Sequence, residues 1–351
     1  MVARPQNFGN VTGATKMAQS VAARVFRGDG VEAWHAASVA VVTPEGLTKT
    51  FGDPQLASLA RSTIKPFQAL ALLTSGAAEA FGFDDREIAL ACASHNGDDE
   101  HRQVAERMLA KARVPASALG CGAHVPLGMR LRETPVNDGE DADPLRNNCS
   151  GKHAGFLALC RHLEEPLENY LEPGSATQAT VLRELARACD VDAESLPRGI
   201  DGCSAPNYAL PLSALAAGML RLARPETAPE PLRAALERVR RSMLQHPELV
   251  SGPGRFDYAL SCALPERLLV KSGAEAMQIG ACLDPPLAFA IKVHDGGARA
   301  LPPICIAVLR QLGLLGSELA PGLVKYEAPV TTNHKKVITG RIEATLELEP
   351  R

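Results

Sequence analysis

The sequence predicts an α/β (α+β) protein whose mixed sheet is drawn from both ends of the chain and packed with helices. Two observations carry this expectation. Short apolar and β-branched runs cluster near 38–51 and 267–294, whereas Ala- and Leu-rich runs of helical length fill the stretch between them. Strands at the ends and helices in the middle require a sheet assembled from distant segments. With 46% hydrophobic and 22% charged residues, the chain can bury a substantial core, which excludes an intrinsically disordered protein.

Taken in order, residues 1–16 are polar and aperiodic and read as a disordered extension, with folded protein from Met17 onward. Residues 38–43 and 47–51 flank Pro44-Glu45-Gly46, a hairpin signal. The run 63–80 reads as a buried helix, 87–94 as a buried strand ending at a polar tip, and 98–112 as an amphipathic helix. A Gly- and Pro-rich loop over 120–144 precedes helices at 151–163, 176–189 and 212–222. Strands at 267–271 and 287–294 and a helix at 302–314, with Pro303 in its first turn, close the pattern. The sheet is thus expected from about 30–60 and 265–351, with the helical region at about 61–264.

The 351 residues carry 37 Lys+Arg against 40 Asp+Glu, a formal charge of −3. That balance gives no reason to expect nucleic acid or an anionic membrane as a partner. No uncharged apolar run approaches the roughly 18 residues of a membrane span. The nine cysteines (Cys92, Cys121, Cys149, Cys160, Cys189, Cys203, Cys262, Cys282 and Cys305) are odd in number and scattered. Disulfide scaffolds are shorter and evenly paired, and the N-terminal segment lacks the order of a secretory signal. The expectation is a reduced, cytoplasmic protein.

The first chemical candidate is Arg61-Ser62-Thr63-Ile64-Lys65. If Ser62 opens a helix, Ser62 and Lys65 lie one turn apart on one face. A serine hydroxyl attacks only once a base removes its proton, and a neutral lysine amine is such a base. The plain alternative is an N-cap serine followed by a solvated lysine. Ser94-His95-Asn96 and Lys271-Ser272-Gly273 each end an apolar run. Ser-x-x-Lys, Ser-x-Asn and Lys-Ser-Gly in this order are the motif set of penicillin-binding proteins and serine β-lactamases. Two neighbouring ammonium groups depress each other's protonation, so at least one lysine can serve as a base.

A third constellation joins Asn147-Asn148-Cys149-Ser150-Gly151-Lys152-His153 to Asp201-Gly202-Cys203-Ser204. Both cysteines lie in polar, Gly-containing turns, unlike Cys160 or Cys305 in their apolar surroundings. Two thiolates with nitrogen donors nearby suit a soft metal such as zinc, although Cys-x-x-Lys is a weak zinc pattern because lysine is normally protonated. Asp201 could hold a substrate ammonium and Arg61 a substrate carboxylate; an ordinary turn aspartate and surface arginine are the alternative. The Gly-rich places at 252–254 and 296–297 read as turns, not dinucleotide-binding loops.

Together these segments resemble the L-asparaginase II family, the Rhizobium-type or class 3 L-asparaginases, from about Val31 to Leu315. The resemblance is carried by RSTIKPFQAL (61–70), SHNGDDEH (94–101), NNCSGKHAGFLALC (147–160) and IDGCSAPNYALPL (200–212). HPELVSGPGRFD (246–257), KSGAE (271–275) and KVHDGGARA (292–300) complete it. It implies a serine-β-lactamase/glutaminase-like fold, a single catalytic unit over 17–351 and hydrolysis of L-asparagine to L-aspartate and ammonia. It further implies two Ser–Lys pairs, Ser62 with Lys65 and Ser94 with Lys271, and substrate contacts from Arg61, Asp201 and His95. A supporting zinc ion on Cys149, Lys152 and Cys203, completed by water, and a homodimer also follow from it. Ala37, Tyr258 and Ala276 depart from the usual family residues, which touches substrate preference more than reaction type. Two rivals share the motifs: a penicillin-interacting serine hydrolase, and a non-catalytic zinc-containing amino-acid-binding protein.

Overall fold

The computed structural model describes residues 20–132 and 143–351; the expected extension at 1–16 lies outside them. Four strands precede the main helices: β1 (Val21–Arg27), β2 (Gly30–Thr43), β3 (Gly46–Phe51) and β4 (Ala57–Leu59). Two more interrupt the helices, β5 (Arg198–Ile200) and β6 (Pro206–Pro211). Six follow them: β7 (Leu268–Gly273), β8 (Met277–Cys282), β9 (Leu287–Val293), β10 (Val330–Thr332), β11 (Ile338–Ala344) and β12 (Glu349–Pro350).

The main sheet runs β10-β11-β1-β2-β9-β8-β7, with β3 pairing both β2 and β12. The sheet expected as mixed is antiparallel at every described pairing. Short connections explain this for β1–β2, β2–β3, β7–β8, β8–β9 and β10–β11, since antiparallel neighbours need only a tight turn; β1–β11, β2–β9 and β3–β12 join the two ends of the chain. The expected hairpin around Pro44 and Glu45 brings Thr43 opposite Gly46. The chain enters the sheet earlier than expected, at Val21, and β8, β10, β11 and β12 also escaped the sequence reading. Strands β4, β6 and β5 form a separate small sheet.

The helices that frame the cores and the site are α1 (Lys65–Thr74), α2 (Asp85–Ala91), α3 (Asp99–Lys111), α4 (Ser150–His162) and α5 (Ala176–Cys189). They continue with α6 (Leu212–Ala223), α7 (Leu232–Gln245), α8 (Phe256–Ala263) and α9 (Leu301–Gln311). Helix α2 corrects the strand expected at 87–94. Asp84 and Glu87 form a reciprocal capping box that starts a helix, and the alanines that follow favour it. Only the tip from Cys92 onward is non-helical. The expected helix 63–80 divides into a 3₁₀ turn (Arg61–Ile64), α1 and a short turn of helix.

The sheet is covered on both faces, which is why β9 is apolar from Leu287 to Ile291 and buried along its whole length. Alternation along β2 sends Ala40 and Val42 into one core with α1, α2 and α4 to α7. It sends Val39 and Val41 into the other, against Ile304, Cys305 and Val308 of α9. Helices α2 and α4 touch backbone to backbone at Gly151, where a Cβ would stand 2.3 Å from the Leu90 carbonyl oxygen. Glycine is the side chain that permits this approach. No helix among the described residues is long and apolar enough to cross a membrane.

Candidate active site

Lys65 opens α1 and Lys271 lies near the end of β7; both are buried, and their ammonium ends converge on one hydroxyl. Lys65 Nζ donates to Ser94 Oγ at 3.0 Å and Lys271 Nζ lies 2.9 Å from the same oxygen. Lys65 also donates to the carbonyl oxygens of Ala93 (2.5 Å) and Asn148 (3.3 Å) and lies 3.2 Å from Cys149 Sγ. Lys271 donates to its neighbour's carbonyl, Ser272 O, at 2.7 Å. Burial brings the Lys271 amine down from 10.5 to about 7, with Asp257 opposing the shift and the charges of Lys65 and Arg255 adding to it. Near neutrality this amine is therefore partly free of its proton.

Ser62 sits in the 3₁₀ turn that leads into α1 and is half-buried, more open than Ser94. Its backbone carbonyl accepts from Lys65 N–H. The preceding residue, Arg61, is held in the left-handed region at φ +50°, a strained setting for a side chain with a Cβ. Asn207 of β6 stabilises it from both sides: Oδ1 accepts from Arg61 N–H (2.9 Å) and Nδ2 donates to Arg61 O (3.1 Å). Arg61 Nε then donates to Asp201 Oδ1 at 2.8 Å, and its Nη1 lies 3.6 Å from Glu275 Oε1. The proposed carboxylate and ammonium binders thus face each other beside Ser62.

His95 is fully buried, and both ring nitrogens are used by the protein. Nδ1 accepts from Gly97 N–H (3.1 Å), so Nε2 carries the proton and donates to Ser150 Oγ (3.1 Å). Burial, reinforced by His101 and Lys65, holds the imidazole neutral, and it stacks on His101 with ring centres 4.8 Å apart. The expected substrate contact His95 is thus tied to Ser150, the first residue of α4.

The three expected metal donors meet on the other side of Lys65. Lys152 Nζ donates to Cys203 Sγ at 2.9 Å, and Cys203 also shares a hydrogen bond with Cys149. That bond, with the Lys152 charge, holds the Cys203 thiol far below its usual range, whereas its partner Cys149 is pushed up. Burial works to lower Lys152, yet the charges of Cys203 and Cys149 raise it. Cys149 is aimed by Asn147, whose Oδ1 accepts from Cys149 N–H at 2.8 Å. The donor set fits zinc once Lys152 gives up the proton it now donates to Cys203: the Cys203 thiol is held low, a second sulfur lies beside it, and the amine points at the first. Among the described residues no three of His, Cys, Asp and Glu gather for a metal, so an ion here depends on Lys152.

Sequence reasoning missed Asn207 and Glu275 as parts of this site. Both lie within the strings that carry the family resemblance, but an asparagine or a turn glutamate has no spacing signature of its own. The strings were informative as units.

Comparisons with known proteins bear on the identity of this arrangement. A β-lactamase from Mycobacterium bovis is similar in structure at 16% identity, covering 78% of this chain and 94% of that one with a TM-score of 0.43. The protein Mglu in its native form is similar at 15% identity and a TM-score of 0.36, over 80% of this chain and 66% of that one. This chain therefore spans about two thirds of Mglu. No curated protein sequence matches. The model of the family described as L-asparaginase II matches residues 23–344, nearly the whole chain, and the protein belongs to that family.

Proposed function

We propose that the protein hydrolyses L-asparagine to L-aspartate and ammonia through a seryl acyl-enzyme. The observation that supports this best is the shared hydroxyl: Ser94 Oγ lies 3.0 Å from Lys65 Nζ and 2.9 Å from Lys271 Nζ. A lysine at about 7 is matched to accept and return a proton near neutral pH. In this reading Lys65 acts in its neutral form: Ser62, the more open serine, attacks the side-chain amide carbonyl and passes its proton to that amine, one turn along the chain. The Ser94–Lys271 pair delivers a proton to the departing ammonia. Water then cleaves the β-aspartyl ester, releasing aspartate and restoring the Ser62 hydroxyl.

Arg61 and Asp201 are proposed to hold the substrate's carboxylate and ammonium. They pair with each other at 2.8 Å, and a zwitterion placed between them satisfies both charges at once. Cys149, Lys152 and Cys203 are proposed to hold zinc, which when bound supplies a fixed positive charge and Lewis acidity beside the site. None of the steps above runs through it. A homodimer belongs to the same reading and is checked by sedimentation velocity.

The direct test is ammonia release from asparagine and glutamine side by side, with nitrocefin as a control. Turnover of asparagine supports the reading. Stable acylation by a penicillin without ammonia release overturns it in favour of a penicillin-interacting hydrolase.

A further inference from the structure

Asp257 lies in the first turn of α8, 4% exposed, and no proposed catalytic step uses it. Its Oδ2 accepts from Ser272 N–H (2.8 Å) and from Ser272 Oγ (2.7 Å), and its Oδ1 accepts from Gln278 Nε2 (3.0 Å). All three donors come from the β7–β8 pair, where Ser272 lies opposite Gln278. A group that accepts three hydrogen bonds and donates none is an ionised carboxylate in its usual role. Ser272 is held from the other end as well, because Lys271 Nζ donates to its carbonyl oxygen. One residue thus connects the buried carboxylate to the buried amine.

The segment leading to Asp257 also reaches the other member of the pair. Val250 O accepts from Ser94 N–H at 2.9 Å, and Pro253 O accepts from Asn96 Nδ2 at 2.9 Å. Between them, Gly252 at φ +117° lies so close to Asn96 that a Cβ would stand 2.5 Å from Nδ2. Residues 250–257 therefore touch the Ser94 loop at one end and the Lys271 strand at the other.

We propose that Asp257 is the positioning residue of the Ser94–Lys271 pair: it locks Ser272, and with it Lys271, at the end of β7 and supplies a buried negative charge beside Lys271. The titratable and charged groups around Lys271 are Asp257 from α8, Lys65 from α1, Arg255 just before α8 and the Cys149 thiol at the start of α4. Burial acts first to remove the Lys271 proton, and Asp257 is the largest influence opposing it. The carboxylate therefore tunes how strong a base Lys271 is, as well as where it stands.

This inference rests on the assignment of Lys271 to the reaction, so its test has a readout that needs no turnover. The ¹³Cε resonance of Lys271, identified by its loss in Lys271→Met, is titrated in the wild type, Asp257→Asn and Ser272→Ala. Removing the carboxylate charge should lower the Lys271 midpoint in Asp257→Asn by roughly one pH unit, whereas Ser272→Ala, which keeps that charge, should leave it in place. Both variants should lose about tenfold or more in kcat with KM nearly unchanged, as expected for a displaced catalytic group. An unmoved midpoint in folded Asp257→Asn overturns the electrostatic role. If Asp257→Asn does not fold, Ser272→Ala decides, and wild-type kcat there overturns the positioning role. A wild type that releases no ammonia from asparagine defeats the functional reading, while the titration still decides the role of Asp257.

Discussion

The Ser94 hydroxyl lies 2.9 Å from Lys271 Nζ, and the same oxygen accepts from Lys65 at 3.0 Å. One serine is shared by two lysines brought together from opposite ends of the chain. The Ser62–Lys65 pair is linked instead through the turn that carries both residues. If Ser62 is the nucleophile and Ser94 the relay, Ser62→Ala, Lys65→Met and Ser94→Ala should each lower kcat by about 10³-fold or more. Circular dichroism should show an unchanged fold. Near-wild-type ammonia release in Ser62→Ala would remove that residue from the nucleophile's role and make Ser94 the attacking hydroxyl.

The pH dependence follows from Lys271. Delivering a proton to the departing ammonia needs the Lys271 amine in its protonated form, which is lost as pH rises through about 7. Activity limited by that step should therefore fall as pH rises through about 7, read as kcat against pH at saturating asparagine. The same shift has a sign for stability. In the unfolded chain this lysine titrates near 10.5, so the cost of burying its charge is full below about 7 and is relieved as pH rises toward 10.5. Lys271→Met should thus abolish turnover yet unfold at a higher temperature than the wild type at pH 7. A lower melting temperature for that variant contradicts the burial cost assigned to this lysine.

The sequence makes the chemistry of this site more readable than its support. Ser62, Lys65, Ser94 and Lys271 carry motif spacings that reflect a chemical need, and the fold brings Lys65, Ser94 and Lys271 into hydrogen-bond contact. The exchange of partners, with Lys65 on Ser94, depends on how α1 packs beside the Ser94 loop, and no local pattern encodes that. The strand expected at 87–94 failed for a related reason. A short apolar run is ambiguous between buried helix and buried strand, and the Asp84–Glu87 capping box resolves it. His95 sits between two functional-looking neighbours in sequence, and in the fold its ring is tied to Gly97 and to Ser150. Asn207, which holds Arg61 in its strained conformation, becomes visible only once β6 is placed beside the 3₁₀ turn.

Packing behind the site yields a stability prediction. Gly151 faces Leu90 so closely that a methyl group would meet the Leu90 carbonyl oxygen at 2.3 Å. Backbone atoms cannot swing aside as a flexible side chain can. Gly151→Ala must therefore push α4 away from α2, at a cost of about 1–3 kcal/mol. Urea unfolding should show a lower midpoint with an unchanged slope. Because Cys149 and Lys152 flank this position, asparagine KM should rise in the same variant. An unfolding midpoint equal to that of the wild type contradicts the close approach.

The metal assignment predicts a separable loss. If zinc supports the site without taking part in the reaction steps, a chelator should raise KM for asparagine more than it lowers kcat. Uniform loss of kcat at constant KM would indicate a direct part in the chemistry. Metal content gives a readout independent of turnover. The wild-type protein, purified without added chelator, should carry about one zinc per chain by mass spectrometry. Lys152→Met removes the amine that lies 2.9 Å from Cys203 Sγ while both sulfurs stay. With only two protein donors left, zinc should fall well below one per chain, since protein zinc sites use three or more. Full zinc occupancy in Lys152→Met would exclude this lysine as a ligand. Absence of zinc from wild-type protein refolded with excess metal would exclude the site.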